Sequence, residues 1–99
     1  MDIGKIYTIK LTSGEELLAR VIGLPGADGF MTISEPISIA PSQKGVGFVP
    51  SIFTATPGES VQLNTNNVTL IAVTDDGICD KYVEVTTGIK LPSKNIILG

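Results

Sequence analysis

The sequence predicts a mainly β domain, a small, strongly bent antiparallel barrel of about five strands followed by one C-terminal α-helix. Three observations predict it. Apolar residues alternate with polar ones over short stretches such as KIYTIKL, the period of a half-buried strand. Two prolines, Pro36 and Pro50, stand almost equally far on either side of a loop tip, where they can bend a single hairpin. Near the end of the chain Ile78, Tyr82 and Val85 recur at helical spacing behind an acidic start.

The first strand is KIYTIKL, with Tyr7, Ile9 and Leu11 on one face and Thr8 and Lys10 on the other. Thr12-Ser13-Gly14 turns the chain. EELLARVIGL returns as the second strand, although its residues also have good helix propensity; the Ser-Gly turn before it and Gly23-Leu24-Pro25-Gly26 after it favour the hairpin. After LPGADG comes FMTISEPISIA, in which Met31, Ile33, Ile37 and Ile39 fall at even spacings and Pro36 withholds a ladder hydrogen bond. Residues 41–45 form a tip, and VGFVPSIFTA leads back from it. Strands bent this sharply let a short sheet curl on itself. TPGES is a further turn, followed by VQLNTNNVTLIA, two apolar runs broken by Asn64-Thr65-Asn66-Asn67. The run 68–73 is apolar on both faces apart from Thr69, so it requires either a central position or cover from another subunit. Asp75 can cap a helix running to about Thr87, Gly88 can stop it, and IKLPSKNIILG forms a tail that could add a last strand. The expected organisation is one domain over 1–99, with the barrel over about 4–74, the helix over about 75–87 and the tail over 88–99.

Composition narrows the function classes. The chain has 99 residues, 42% of them hydrophobic and 17% charged, which suits a folded single-core domain and excludes disorder. Seven basic against ten acidic residues give a formal charge of −3, which argues against coating a polyanion but leaves room for a local binding site. No apolar stretch reaches membrane-spanning length and the first residues do not resemble a signal peptide, so a cytoplasmic protein with no membrane partner is expected. The single cysteine, Cys79, lies between acidic neighbours that raise a thiol pKa, and it reads as packing. With no histidine there is no common general base and no Ser-His or Cys-His pair, and no enzyme activity, cofactor or metal site is expected. Glu15-Glu16 alternate across a strand, Asp75-Asp76 sit where helices are capped, and Gly45-Val46-Gly47 lacks the ending of a phosphate loop.

The order of elements and two short motifs resemble the Sm/LSm family. The first motif is IKLTSGEELLARVIGLPGADGFMTI, residues 9–33, with Gly14 between the first two strands; the second is VQLNTNNVTLIA, residues 61–72. The resemblance implies a small bent barrel of the SH3 type that assembles into a homo-oligomeric ring and binds single-stranded RNA in a regulatory or chaperone-like role. On this resemblance Asp28 falls at the family's loop aspartate and Phe30 where an aromatic or histidine stacks on a base. Thr32 takes the place of the asparagine that bonds the base, and Asn64 and Thr65 stand for the usual arginine and glycine, while Asn66 and Asn67 fit the pattern. Family members carry an N-terminal helix, whereas here the helix is C-terminal, an arrangement similar to small Sm-like proteins of tailed phages of marine cyanobacteria. The candidate RNA-binding residues are therefore Asp28, Phe30, Thr32, Asn64, Asn66 and Asn67.

Each of these has a plainer role open to it. Phe30 can stack on a base or pack inside the barrel, and the asparagines can read a base edge or simply turn the chain. Because Thr32 and Asn64 depart from the family at contact positions, a rival function is that of an oligomeric phage assembly or scaffold component that has lost RNA binding. A monomeric adaptor on an unrelated SH3-like or oligonucleotide-binding barrel is a third. Lys81, Lys90 and Lys94 can line a face or merely be solvated.

Overall fold

In a computed structural model, which describes residues 1–56 and 58–88, the chain is mainly β, with a single antiparallel sheet and one C-terminal helix. The strands are β1 (Ile6–Leu11), β2 (Glu16–Gly23), β3 (Phe30–Ser42), β4 (Gly45–Pro50), β5 (Val61–Asn64) and β6 (Val68–Val73), and α1 spans Asp76–Thr87. Their order across the sheet is β4-β3-β2-β1-β6, with β5 pairing β3.

Six strands stand where about five are expected, and the ladders show why. β2 lies along one edge of β3, pairing with residues from Thr32 to Ser38. The other edge is shared: β5 pairs with Phe30 to Ile33 and β4 with Ile37 to Ser42. Between these two ladders sits Glu35-Pro36. Glu35 has a φ of 51°, in the left-handed region that a non-glycine residue enters only at some cost, and Pro36 supplies no ladder donor. β4 and β5 are thus two pieces of one strand position, with residues 51–56 and 58–60 between them in no strand, and VGFVPSIFTA leaves the ladder at Pro50. Both prolines fall at the same end of the β3–β4 hairpin: Pro50 lies opposite Ile37, and the Ser51 amide donates to the Pro36 carbonyl at 3.1 Å.

The sheet is covered on both faces. Tyr7, Ile9, Leu17, Ala19, Val21, Met31 and Ile33 form one buried cluster, closed by Leu63 of β5 and Val68 of β6, and this is the barrel interior. The odd-numbered alternation of β1 and β2 places them there. The even-numbered Ile6 and Leu18 join Ile37, Phe48 and Tyr82 in a second cluster beneath α1. The helix therefore forms because its apolar stripe, Ile78, Tyr82 and Val85, has a sheet face to cover. It starts where expected, with the Asp75 carboxylate accepting from the Ile78 amide at 3.2 Å, and it ends at Gly88, whose φ of 74° suits a glycine C-cap. Replacing Asp75 with alanine is expected to cost about 1 kcal/mol in chemical denaturation, leaving the β signal intact below the transition.

Cys79 is half-buried, its thiol pushed up by burial and further by Asp76, Asp80 and Asp75. Glu84 is buried on α1, with no hydrogen-bond partner for either carboxylate oxygen among the described residues. No helix among the described residues is long and apolar enough to cross a membrane. The suggested last strand, with Lys90 and Lys94, lies outside the described residues.

Among the described residues β6 pairs with β1 on one side and with no strand on the other, and of its residues Leu70 is 66% exposed and Val73 63%. A central place in the sheet, one of the two explanations for a doubly apolar run, is thus not what β6 has among the described residues.

Candidate functional site

β5 and β6 belong to opposite edges of the sheet, yet only three residues join them. The turn Thr65–Asn67 is a single 3-10 turn, so the chain passes from the β3 edge to the β1 edge within it and the two edges converge there. Its residues fit the task. Asn64 caps the turn through its side-chain oxygen, which accepts from the Asn66 amide at 3.0 Å, and the Thr12 amide donates to the Asn67 carbonyl at 2.7 Å.

The loop before β3 is fastened to the same turn. Gly29, at a φ of 80° that glycine takes without strain, presents its carbonyl to Thr65, which donates both its amide at 2.9 Å and its hydroxyl at 2.7 Å. Asp28 in turn accepts from the Phe30 amide at 3.0 Å, fixing the entry to β3. Residues from the two sequence motifs, more than thirty positions apart, are thereby held on one rim of the barrel.

Along that rim the β3–β5 ladder alternates cleanly. Met31 lies opposite Leu63 and Ile33 opposite Val61, all four facing the interior, while Phe30 lies opposite Asn64 and Thr32 opposite Gln62 on the outer face. Phe30 is 38% exposed and belongs to neither core cluster, so the packing role open to it in the sequence is not the one it has. Thr32 is half-buried against Gly23, where an added Cβ would come within 3.0 Å of the threonine Cβ. Its hydroxyl accepts from the Gln62 side chain at 3.1 Å.

The structure thus brings Asp28, Phe30, Thr32, Asn64, Asn66 and Asn67 together at one end of the molecule, in differing states. Asn66 and Asn67 are exposed, with side-chain amides that make no hydrogen bond among the described residues. Asn64 keeps its amide N–H donors, its oxygen being engaged in the cap. Asp28 has one oxygen engaged. Gln62, absent from the sequence-based candidates, joins them. The alternation of VQLN already puts it on the same face as Asn64, and aligning VQLN antiparallel to FMTI would have found it.

Loop residues 24–29, the outer ladder face and the turn contain no Lys or Arg, and Asp28 is their only charged side chain. Such a surface offers an aromatic face and amide donors and acceptors, suited to a planar polar ligand rather than to a phosphate. Among the described residues no group of three His, Cys, Asp or Glu side chains could hold a metal ion. No family model matches the chain, and no curated protein matches it closely enough to supply a relative.

Proposed function

We propose that this chain is a ring-forming Sm-like protein that binds single-stranded RNA in the cytoplasm of a phage-infected bacterium, in a regulatory or chaperone-like role. The observation that supports the reading best is the joining of loop 24–29 to the asparagine turn, which sets Phe30 directly opposite Asn64 with the ring exposed. An exposed aromatic ring beside free amides is how single-stranded bases are held. One base stacked per subunit contributes about 1–3 kcal/mol, and a ring presenting several such positions to one strand multiplies modest sites into useful affinity.

The sheet edges support assembly. β6 and β4 end the sheet order, both edges are unpaired among the described residues, and β6 carries an exposed apolar surface. Pairing β6 of one copy with β4 of the next is a head-to-tail contact of the kind that closes into a ring.

Fluorescence anisotropy with labelled uridine-rich and adenosine-rich 12-mers, at low and moderate salt, tests the reading. Phe30→Ala is expected to weaken binding about tenfold or more, as loss of one stacking platform per subunit does, and Asn67→Ala to weaken it less. Binding untouched by both substitutions would place the site elsewhere.

A second reading, an oligomeric assembly component that binds no RNA, draws on the rim's lack of basic side chains and on the engagement of Asn64 and Thr32 with other residues of the chain. It is the outcome if no RNA binds at low salt.

A further inference from the structure

One charged side chain of this fold is buried, and the sheet does not account for its burial. Glu84 is 5% exposed, and neither of its carboxylate oxygens has a hydrogen-bond partner among the described residues. α1 meets the sheet through Tyr82, whose hydroxyl reaches the Ser34 and Glu35 carbonyls. At 3.6 residues per turn Glu84 stands about 200° round the helix from Tyr82, on the side turned away from the sheet. Gly77, Asp80, Lys81 and Thr87 share that side, and all four are exposed. The loop after β4 approaches α1 elsewhere: Ala55, Thr56 and Glu59 line a cavity of about 250 Å3 with Thr86, which is again about 200° from Glu84. A carboxylate removed from water is costly unless a cation meets it. Lys81, three residues before it on the helix, gives it no hydrogen bond.

We infer that residues 89–99 lie back over the outer side of α1 and set a lysine, Lys90 or Lys94, against Glu84. This segment, IKLPSKNIILG, carries those two lysines and no acidic residue, and Ile89, Leu91, Ile96, Ile97 and Leu98 supply apolar cover. Its charge is complementary to the group it covers. The chain leaves α1 through Gly88 in the left-handed conformation, φ 74°, with the Gly88 amide donating to the Glu84 carbonyl at 3.1 Å. A helix that ends this way commonly brings the next apolar side chain back against its last turn, which is where Glu84 stands. Tethered so close to its site, the segment docks at an effective concentration on the order of millimolar, far above that of a second copy in micromolar solution. The inference is independent of what the barrel rim binds.

Hydrogen exchange followed by mass spectrometry on the full chain tests it, because exchange reports the open population of each segment. In the wild type the amides of 89–99 are expected to exchange about tenfold or more slowly than in a synthetic peptide of the same sequence, equally at low and high micromolar protein. Glu84→Gln keeps the shape and strands the lysine, so it is expected to speed that exchange about tenfold or more, with the strands and α1 unchanged. One of Lys90→Met and Lys94→Met is expected to match it, and joining that variant to Glu84→Gln to give far less than the two effects added. Lys81→Met is expected to do nothing. The sign of the Glu84→Gln effect decides the matter: a buried carboxylate without a cation is relieved by glutamine, so unchanged or slower exchange overturns the inference. Exchange of 89–99 at the peptide's rate in the wild type overturns it as well. So does a Lys81→Met effect equal to that of Glu84→Gln, which makes Lys81 the partner, or protection that grows with protein concentration, which assigns the cover to a second copy.

Discussion

Tyr82→Ala is expected to unfold the domain or bring it to the edge of unfolding. Tyr82 is fully buried on the inner face of α1, packed with Ile6, Leu18, Ile37 and Phe48. Truncating a buried aromatic costs about 3–5 kcal/mol, a large share of the 5–15 kcal/mol typical of a whole domain. The hydroxyl adds a second function, donating toward the Glu35 carbonyl at 2.8 Å and the Ser34 carbonyl at 3.1 Å. These are the carbonyls at the left-handed kink that divides the two ladders of β3. Tyr82→Phe keeps the packing and orphans the kink, so it should cost about 1–2 kcal/mol. The two variants separate the contributions in urea denaturation followed by circular dichroism.

The same residue predicts an alkaline loss of stability. Burial, and then the Glu35 carboxylate, push the Tyr82 phenol up to about 12, with Arg20 pulling the other way. Its ordinary value is about 10. Between these values the unfolded chain releases the proton and the folded chain keeps it, so the unfolded state binds fewer protons and stability falls as pH rises. The contribution is fully present below about pH 10 and is lost by about pH 12, amounting at most to about 3 kcal/mol. The stability difference between wild type and Tyr82→Phe should therefore narrow on going from pH 8 to pH 11, whereas a difference that widens would contradict the direction.

Local chemistry explains how much of this fold the sequence reveals. Alternation in KIYTIKL and EELLARVIGL identifies β1, β2 and their interior faces, because a two-residue period has one meaning when a single face is buried. Asp75, the stripe of Ile78, Tyr82 and Val85, and Gly88 fix α1, because cap, stripe and stop are all local signals. The turn TPGES already separates VGFVPSIFTA from VQLN in the sequence, but that β4 and β5 share one edge of β3 was not legible. It depends on residues 51–56 leaving the ladder while Pro50 stays in it, and both proline-containing runs read as continuous strands. The place of β6 at the end of the sheet was ambiguous for a different reason, since an apolar run carries no mark of whether its cover comes from its own chain or another.

The site divides in the same way. Asp28, Phe30 and the asparagines were found because they lie in two compact motifs. What joins the motifs, the bond from Thr65 to the Gly29 carbonyl, is a contact between a side chain and a backbone group distant in sequence, and no residue type announces it. Gln62 was missed because its meaning comes from Thr32 across the ladder. The exposure of Phe30 also follows from pairing: its neighbour Met31 takes the interior position, and alternation turns the larger ring outward.

Leu70→Glu is expected to reduce a ring to single chains while leaving each chain folded. Leu70 is 66% exposed within its own chain and lies opposite Lys10 across the β1–β6 ladder. A glutamate there loses little packing, and it gains an opposite-charge cross-strand neighbour worth a few tenths of a kcal/mol to about 1 kcal/mol. In the assembly the balance reverses. A neighbouring β4 laid along the free edge of β6 would cover this position and leave a carboxylate to be desolvated at each interface of the ring, a cost of several kcal/mol per buried charge. Because a closed ring repeats the contact at every subunit, the penalty is repeated as well, and assembly should fail at micromolar concentration. Light scattering coupled to size exclusion reads the result directly: a wild-type mass several times that of one chain, a variant mass equal to one chain, and matching far-ultraviolet circular dichroism for the two. If the wild type itself runs as a single chain, β6 is an edge tolerated in solution and the assembly reading fails; if the variant keeps the wild-type mass, the subunits meet through a different surface.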